Sequence, residues 1–398
     1  MSSNEKKENR ILGLNRNVFF MGLVSLFNDF SNEMIQSVMP AFLTITLGAS
    51  PAAIGLIEGL ADAASSVLRI FSGWLSDCTG KRKRWAMLGY MISIIVRPLY
   101  VFVSTFQRFM AIRIVDRVGK GMRESPRDAL ISESTSDEEI GKSFGYHRGM
   151  DAIGGIAGPA AAILVLSLTM NNYKTLFLSA FGVGLLALFS FVFIKDVKTD
   201  SYCKTRVKFN LAFFKENPGF SEFLLAIFVF GIGTLPITLM IVRSLEVSPV
   251  VEYSSLMYLV YSLTFVALSI PVGKLSDKKG ERIVISIGFV AAILSYLILG
   301  FAHNVFSLVA AFVLFGFYAA ATDGIERALA SKLLKRESLA TGQGFLHAVA
   351  GLSSLFAGLI GGIIWTRAGS SYAFLYASIT AIAGLAVFLI ISFGRRQK

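Results

Sequence analysis

The sequence predicts an all-α membrane protein with twelve transmembrane helices arranged as two pseudo-symmetric six-helix bundles. Three observations predict this fold class. The 398 residues are 54% hydrophobic and only 16% charged, a composition that a soluble protein could not keep off its surface. Apolar stretches long enough to cross a bilayer, which needs about 20 helical residues, recur along the chain. A ten-residue string also occurs twice, at 73–82 and at 273–282.

The apolar stretches are continuous and do not alternate with polar residues, which favours helices over a β-barrel. They form two sets of six, separated by the longest polar segment. The predicted spans are 18–47, 52–76, 85–103, 106–131, 144–170, 174–194, 222–243, 250–275, 283–302, 305–334, 342–366 and 372–393. The predicted division is a cytoplasmic N-terminus at 1–17, a first bundle at 18–194, a cytoplasmic linker at 195–221, a second bundle at 222–393 and a cytoplasmic tail at 394–398.

Basic residues indicate the sidedness of the chain. The formal net charge is +12, and the lysines and arginines concentrate before the first span, in the turns after spans 2 and 8, in the linker and at the end of the chain. All these segments lie on one side if the spans alternate, and basic loops stay cytoplasmic. We therefore expect a multi-pass protein of a bacterial inner membrane with both termini in the cytoplasm. Because the charge reports topology, no nucleic-acid partner is expected.

The repeated string indicates an internal duplication. Residues 73–82 read GWLSDCTGKR and residues 273–282 read GKLSDKKGER, so six of ten positions are identical at an offset of 200. Other residues match at the same offset, among them Arg127 with Arg327. Several matches at one offset predict a repeated six-helix unit.

The string at 73–82 resembles the signature of the major facilitator superfamily, and the twelve spans extend this resemblance over the whole chain. The resemblance implies two bundles that rock about a central site and expose it to each side in turn. In the family this turn is thought to latch the outward-facing state, although Cys78 stands here where the family usually has arginine. The residues expected at the cytoplasmic gate are Gly73, Asp77, Gly80, Lys81, Arg82, Arg123, Arg127, Asp128, Asp277 and Arg282.

Three further strings carry narrower resemblances. DFSNEMI at 29–35 and DRVGKGMRESPRDALI at 116–131 resemble a bacterial permease branch of the superfamily, in which some members resemble exporters and others siderophore-associated permeases. Gly154, Gly158 and Pro159 of span 5 partly match the superfamily's antiporter motif. Helix packing explains these three residues without antiport, because glycine permits close approach and proline bends a helix.

Ionisable side chains inside membrane spans are costly, so each indicates a partner or a role. The first half holds most of them. With a rise of about 1.5 Å per residue, Asp29 and Arg117 both fall near the midplane. Glu33 and Arg113 lie one turn away on the same helix faces. The sequence therefore predicts that spans 1 and 4 face each other, with Asp29 near Arg117 and Glu33 near Arg113.

Two functions fit this cluster, and a structural salt bridge fits it as well. A carboxylate beside an arginine can load and release a proton; the proton-coupling candidates are Asp29, Glu33 and Asp62. Arginines can instead hold an anionic substrate, because a guanidinium binds carboxylate or phosphate in bidentate fashion. The candidates for substrate binding or charge pairing are Arg113, Arg117, Arg97 and Arg69.

The sequence favours a proton-coupled secondary transporter of a small polar, anionic organic solute, such as a carboxylate metabolite or a siderophore. The alternative is a proton–drug antiporter, favoured by the span-5 motif and by 34 phenylalanines; a membrane sensor that does not transport is a third interpretation. No P-loop or metal-ligand spacing occurs, so no enzyme activity, cofactor or metal is expected. The expected partners are the solute, protons and the lipid bilayer, and one chain suffices for the fold.

Overall fold

The structure is a computed structural model that describes residues 10–136, 139–197, 212–334 and 339–393. Over these residues the chain is almost entirely helical, which confirms the all-α prediction. The described α-helices are α1 Arg16–Ala41, α2 Pro51–Thr79, α3 Arg82–Val96, α4 Phe106–Glu133, α5 Ile140–Leu168, α6 Tyr173–Val192, α7 Ala212–Glu216, α8 Pro218–Gly231, α9 Ile237–Val247, α10 Val251–Lys279, α11 Glu281–Gly300, α12 Val305–Lys332, α13 Leu339–Ala368 and α14 Ser370–Phe393. The predicted tail at 394–398 and most of the predicted linker lie outside the described residues.

Each predicted span coincides with a helix, except that span 7 divides into α8 and α9. The break covers residues 232–236 and ends at Pro236, which has no N–H to donate and so cannot continue the hydrogen bonds of a helix. Tyr376 donates its hydroxyl to the carbonyl oxygen of Ile232 at 2.8 Å. This bond satisfies a carbonyl group that the break removes from the helix. The predicted continuous span at 222–243 is therefore wrong at its centre.

Proline also changes the ends of two other helices. Arg97 and Pro98 follow α3, and the chain continues as a 3₁₀-helix over Arg97–Phe102. Pro40 lies inside α1 near its end, and a π-helical turn follows at Phe42–Thr46. The 3₁₀ turn lengthens α3, whose 15 residues would be short for a span, whereas the π-helical turn follows an α1 that already has 26 residues.

The contacts divide the chain into two compact units. The first unit comprises Met1–Val38 and Ala64–Thr205, and the second comprises Met39–Ala63 and Arg206–Lys398. In the first unit the apolar core lies between α1, α3, α4 and α6, where Val18, Tyr90, Leu130 and Phe191 are buried. The prediction places residues 39–63 in the first bundle, at 18–194, whereas the contacts group them with the second unit.

Eight of the described helices are long and apolar enough to cross a membrane by length and composition: α5, α6, α10, α11, α12, α13, α14, and α3 together with its 3₁₀ extension. Large apolar side chains on these helices are exposed, for example Phe189 at 64% and Ile390 at 70%. Such faces are stable against lipid and not against water. The long helices α1, α2 and α4 lie outside this set, and α4 contains ten charged residues, more than any other described helix.

Candidate functional site

Two buried arginines of α4 bind one side chain of α1. Arg113 and Arg117 are 1% and 6% exposed, and each donates an Nη2 hydrogen bond to Oε1 of Gln36, at 2.5 Å and 3.3 Å respectively. Nη1 of Arg113 also lies 3.5 Å from the carboxylate of Asp116. Helices α1 and α4 therefore face each other. The contact is made by two guanidinium groups of α4 and one uncharged amide oxygen of α1.

The two acidic residues of α1 have neighbouring amides as hydrogen-bond donors. Asn28 donates its Nδ2 to Oδ1 of Asp29 at 2.9 Å, and Asn32 donates its Nδ2 to Oε1 of Glu33 at 2.9 Å. Each bond gives one carboxylate oxygen a donor from the same helix. The predicted pairings of Asp29 with Arg117 and of Glu33 with Arg113 stay predictions.

Helix α5 packs tightly along the acidic face of α1. A Cβ atom at Gly154 would lie 2.6 Å from the carbonyl oxygen of Leu26 and 3.2 Å from Cβ of Asp29. A Cβ atom at Gly158 would lie 2.6 Å from Cβ of Glu33. The two glycines therefore leave room for the acidic residues of α1, and Pro159 follows them inside α5.

Arg97 is 1% exposed and is bound on several sides by protein. Its Nη2 donates to Oδ1 of Asn28 at 2.9 Å, and its Nη1 donates to Oγ of Ser31. On α6, a Cβ atom at Gly184 would lie 2.9 Å from Nη1 of this arginine. These contacts connect α1, α6 and the end of α3, and they are typical of a structural arginine.

The other two candidates on α2 have partners on different helices. Arg69 forms an ion pair with Glu124 of α4 in the first unit. Asp62 lies in the second unit, where Ser354 of α13 donates its hydroxyl to Oδ2 at 3.0 Å. Asp62 therefore belongs to a different unit from Asp29 and Glu33.

The first copy of the repeated turn is held together by Arg82. Its guanidinium forms an ion pair with Asp77 and lies 2.9 Å from Oε1 of Glu133 at the end of α4. Gly80 has a φ of +64°, a left-handed conformation that glycine adopts at little cost. Gly73 packs on α4, where an added Cβ atom would lie 3.2 Å from Cβ of Ser125. Lys81 is exposed.

The second copy keeps the backbone of the turn and changes its contacts. Gly280 has a φ of +89°. Arg282 donates to the carbonyl oxygen of Ser392 at 2.7 Å, and Asp277 is exposed. Lys332 at the end of α12 forms an ion pair with Glu281. An ion pair thus connects the first turn to the end of α4 and the second turn to the end of α12. The positive residue belongs to the turn in the first copy and to the end of α12 in the second.

The remaining gate candidates on α4 do not share one set of contacts. Arg123 is 5% exposed, donates to Oγ of Ser93 at 3.0 Å and lies over the ring of Tyr90 at 4.8 Å from its centroid. Arg127 forms an ion pair with its neighbour Asp128 at 2.8 Å. Arg123 is therefore a residue of the helix interface between α3 and α4.

Uncharged polar residues of α1 that were not predicted complete this network. Ser25, Asn28, Ser31 and Gln36 are all buried on α1. Ser25, Asp29, Glu33 and Gln36 recur every three or four residues, which is the spacing of one helix face. A polar stripe on an otherwise apolar span was the signal that could have found them.

A multi-pass helical bundle with charged and polar side chains buried inside it is typical of a membrane transporter. The family model of the Major Facilitator Superfamily matches residues 21–248 and 223–398. The chain belongs to this superfamily, as the repeated turn indicated.

Known relatives agree with this assignment. The chain is 31% identical over 386 residues to an uncharacterised MFS-type transporter of Methanocaldococcus jannaschii, with 95% of each chain covered. A POT family transporter solved with a thioalcohol-conjugated peptide superposes with a TM-score of 0.81 at 14% identity, covering 96% of this chain and 97% of that one. The nucleoside transporter NupG superposes with a TM-score of 0.75 at 14% identity, covering 96% and 99%. Both likenesses concern the fold alone.

Proposed function

We propose that this chain is a proton-coupled secondary transporter of a small anionic organic solute, moved by alternating access. The observation that carries the proposal is the pair Arg113 and Arg117, which are buried side by side on α4 and share Oε1 of Gln36. The shared acceptor brings the two guanidinium groups to one position, beside the carboxylate of Asp116, which lies 3.5 Å from Arg113. Carboxylate oxygens are strong acceptors for guanidinium groups in a water-poor site.

Proton coupling is assigned to Asp29 and Glu33. Each accepts a hydrogen bond from a neighbouring asparagine, and each lies where a glycine of α5 leaves space beside α1. A carboxylate in a cavity that opens to either side of the membrane can take up a proton on one side and release it on the other. Asp62 is the second-rank candidate, since its contact with Ser354 belongs to the second unit.

An aromatic cluster in the second unit supports the alternative, a proton–drug antiporter. The ring centroids of Tyr261 and Phe315 are 5.7 Å apart, and those of Phe315 and Tyr318 are 5.3 Å apart. Tyr258 lies 5.8 Å from Tyr261. Aromatic faces bind cations and flat apolar groups. The glycines of α5 give this alternative no support of their own, because their contacts with α1 account for them.

The test is transport by the purified protein in proteoliposomes with two probes of opposite charge. Radiolabelled citrate represents the anionic class, and tetraphenylphosphonium represents the lipophilic cations. We expect exchange of citrate across the membrane, and we expect Arg113→Gln or Arg117→Gln to weaken citrate binding about tenfold or more, since a hydrogen bond to a charged group contributes about 1.5–3 kcal/mol. Arg108→Gln is the matched control, because Arg108 is an exposed arginine of the same helix.

Different variants test the charge of the solute and the coupling to protons. Citrate binding that ignores both arginine variants, with tetraphenylphosphonium carried instead, would favour the drug antiporter. Asp29→Asn and Glu33→Gln test coupling: we expect loss of transport driven by a proton gradient while solute exchange persists. Gradient-driven transport that survives both changes would make the coupling assignment wrong.

A further inference from the structure

A buried histidine and an aspartate lie one turn apart on α5, next to α1. Nδ1 of His147 is 3.5 Å from Oδ2 of Asp151, and the other carboxylate oxygen accepts a hydrogen bond from the hydroxyl of Ser25. His147 and Ser25 are 3% and 1% exposed. The carboxylate therefore has an imidazole on one side and a hydroxyl donor from a second helix on the other.

The second ring nitrogen of His147 has no hydrogen-bond partner among the described residues. Its Nε2 atom is buried together with the rest of the ring. A buried polar atom without a partner is unfavourable, and natural proteins retain few of them outside functional sites. Because neutral imidazole carries its proton on either nitrogen, the proton can move between Nδ1 and Nε2 without breaking a hydrogen bond at Nε2.

Charged and titratable groups surround this pair from several helices. Helix α1 contributes Asp29, α3 contributes Tyr90, α4 contributes Arg127 and Asp128, and α5 itself contributes Arg148. Along α6, the lysine at its outer end is the sole charged residue. The neighbours include both positive and negative groups. They can therefore compensate when His147 and Asp151 together gain or lose one proton.

The register between α1 and α5 brings the pair close to the proposed coupling residue. Ser25 contacts Asp151, and one turn further along both helices Asp29 packs against Gly154. A proton that leaves Asp29 therefore has Asp151 within about one helical turn, or about 5.4 Å along the axis.

We propose that His147 and Asp151, positioned by Ser25, form a proton-binding site that shares one proton and exchanges it with Asp29. Binding moves one proton onto the pair from water or from Asp29, and release returns it, with no other bond made or broken. The exchange with Asp29 rests on the proposed function. The protonation of the pair does not, and it can be measured without any solute.

The experiment is nuclear magnetic resonance of histidine labelled with nitrogen-15 in the reconstituted full chain. The sequence has only three histidines, so His147→Gln assigns the signal of His147. We expect the ring-nitrogen shifts of His147 to change between about pH 5 and pH 8, and we expect Asp151→Asn to abolish this change. His303, in the loop between α11 and α12, is the internal control, and its signals should be the same in both proteins.

Two outcomes would overturn the site: shifts of His147 that stay constant over this range in the wild-type chain, or a pH-dependent change that persists in Asp151→Asn. Ser25→Ala covers the case in which Asp151→Asn does not fold, and it should move the midpoint of the change. The proposed function fails separately, if the wild-type chain moves no proton with solute while the shifts of His147 still depend on Asp151.

Discussion

Gln36 stabilises two positive charges inside the membrane with one neutral atom. Arg113 and Arg117 both donate to its Oε1. The two guanidinium groups therefore converge on one uncharged acceptor, and Asp116 is a carboxylate 3.5 Å from Arg113. The convergence of the two guanidinium groups on one atom is the reason to propose an anionic solute for the first unit.

Replacing Gln36 tests this arrangement. Gln36→Leu keeps much of the side-chain volume and removes the acceptor, so we expect the chain to lose about 1.5–3 kcal/mol of stability. The measurement is thermal unfolding in detergent. Gln36→Glu is the matched control: it keeps the acceptor and should unfold at or above the wild-type temperature. A leucine variant as stable as the wild-type chain would contradict the role of the shared oxygen.

At the scale of elements, the contact between α1 and α5 depends on glycine at specific positions. A Cβ atom at Gly158 would lie 2.6 Å from Cβ of Glu33 and 2.7 Å from the carbonyl oxygen of Phe30. We expect Gly158→Ala to destabilise the chain by about 1–3 kcal/mol, because the helices must separate to admit the methyl group.

Gly155 provides the control for that substitution on the same helix. An added Cβ atom at Gly155 meets no atom within 4 Å. Gly155→Ala should therefore leave thermal stability unchanged or raise it slightly, since alanine favours helix. Equal losses of stability in the two variants would show that the helix backbone, and not the contact with α1, requires glycine.

The repeated turn requires glycine for a different reason. Gly280 has a φ of +89°, and an added Cβ atom would meet nothing within 4 Å. Gly280→Ala should cost about 1–2 kcal/mol through backbone strain alone. Gly273→Ala, inside α10 and equally unobstructed, should cost nothing, and thermal unfolding of the two variants compares them directly. A neutral Gly280→Ala would exclude strain as the reason for this glycine.

Sequence predicts helices here better than it predicts side-chain partners. The helix lengths follow from the apolar runs, and the predicted depths of Asp29 and Arg117 rest on the rise per residue. Depth does not define the angular position of a side chain around its helix, and this is why Gln36 was missed. The break in span 7 had a local signal in Gly233 and Pro236, but continuous apolarity hid it.

At the scale of the whole molecule, the two repeated turns share a backbone conformation, but the two units bury different kinds of side chain. Gly80 and Gly280 both adopt a positive φ. In contrast, the first unit buries the arginine pair of α4, and the second unit gathers tyrosine and phenylalanine rings around Phe315.

Sidedness is the prediction that concerns the whole chain. Basic loops stay in the cytoplasm, so Lys279, in the second repeated turn, should face the cytoplasm and Lys174, at the start of α6, should face the opposite side. Both residues are exposed, so burial does not limit labelling. In a chain without Cys78 and Cys203, Lys174→Cys should react with a membrane-impermeant maleimide on intact cells, and Lys279→Cys should react only after permeabilisation. The opposite pattern would invert the topology and place the repeated turn, with Asp77 and Arg82, outside the cell.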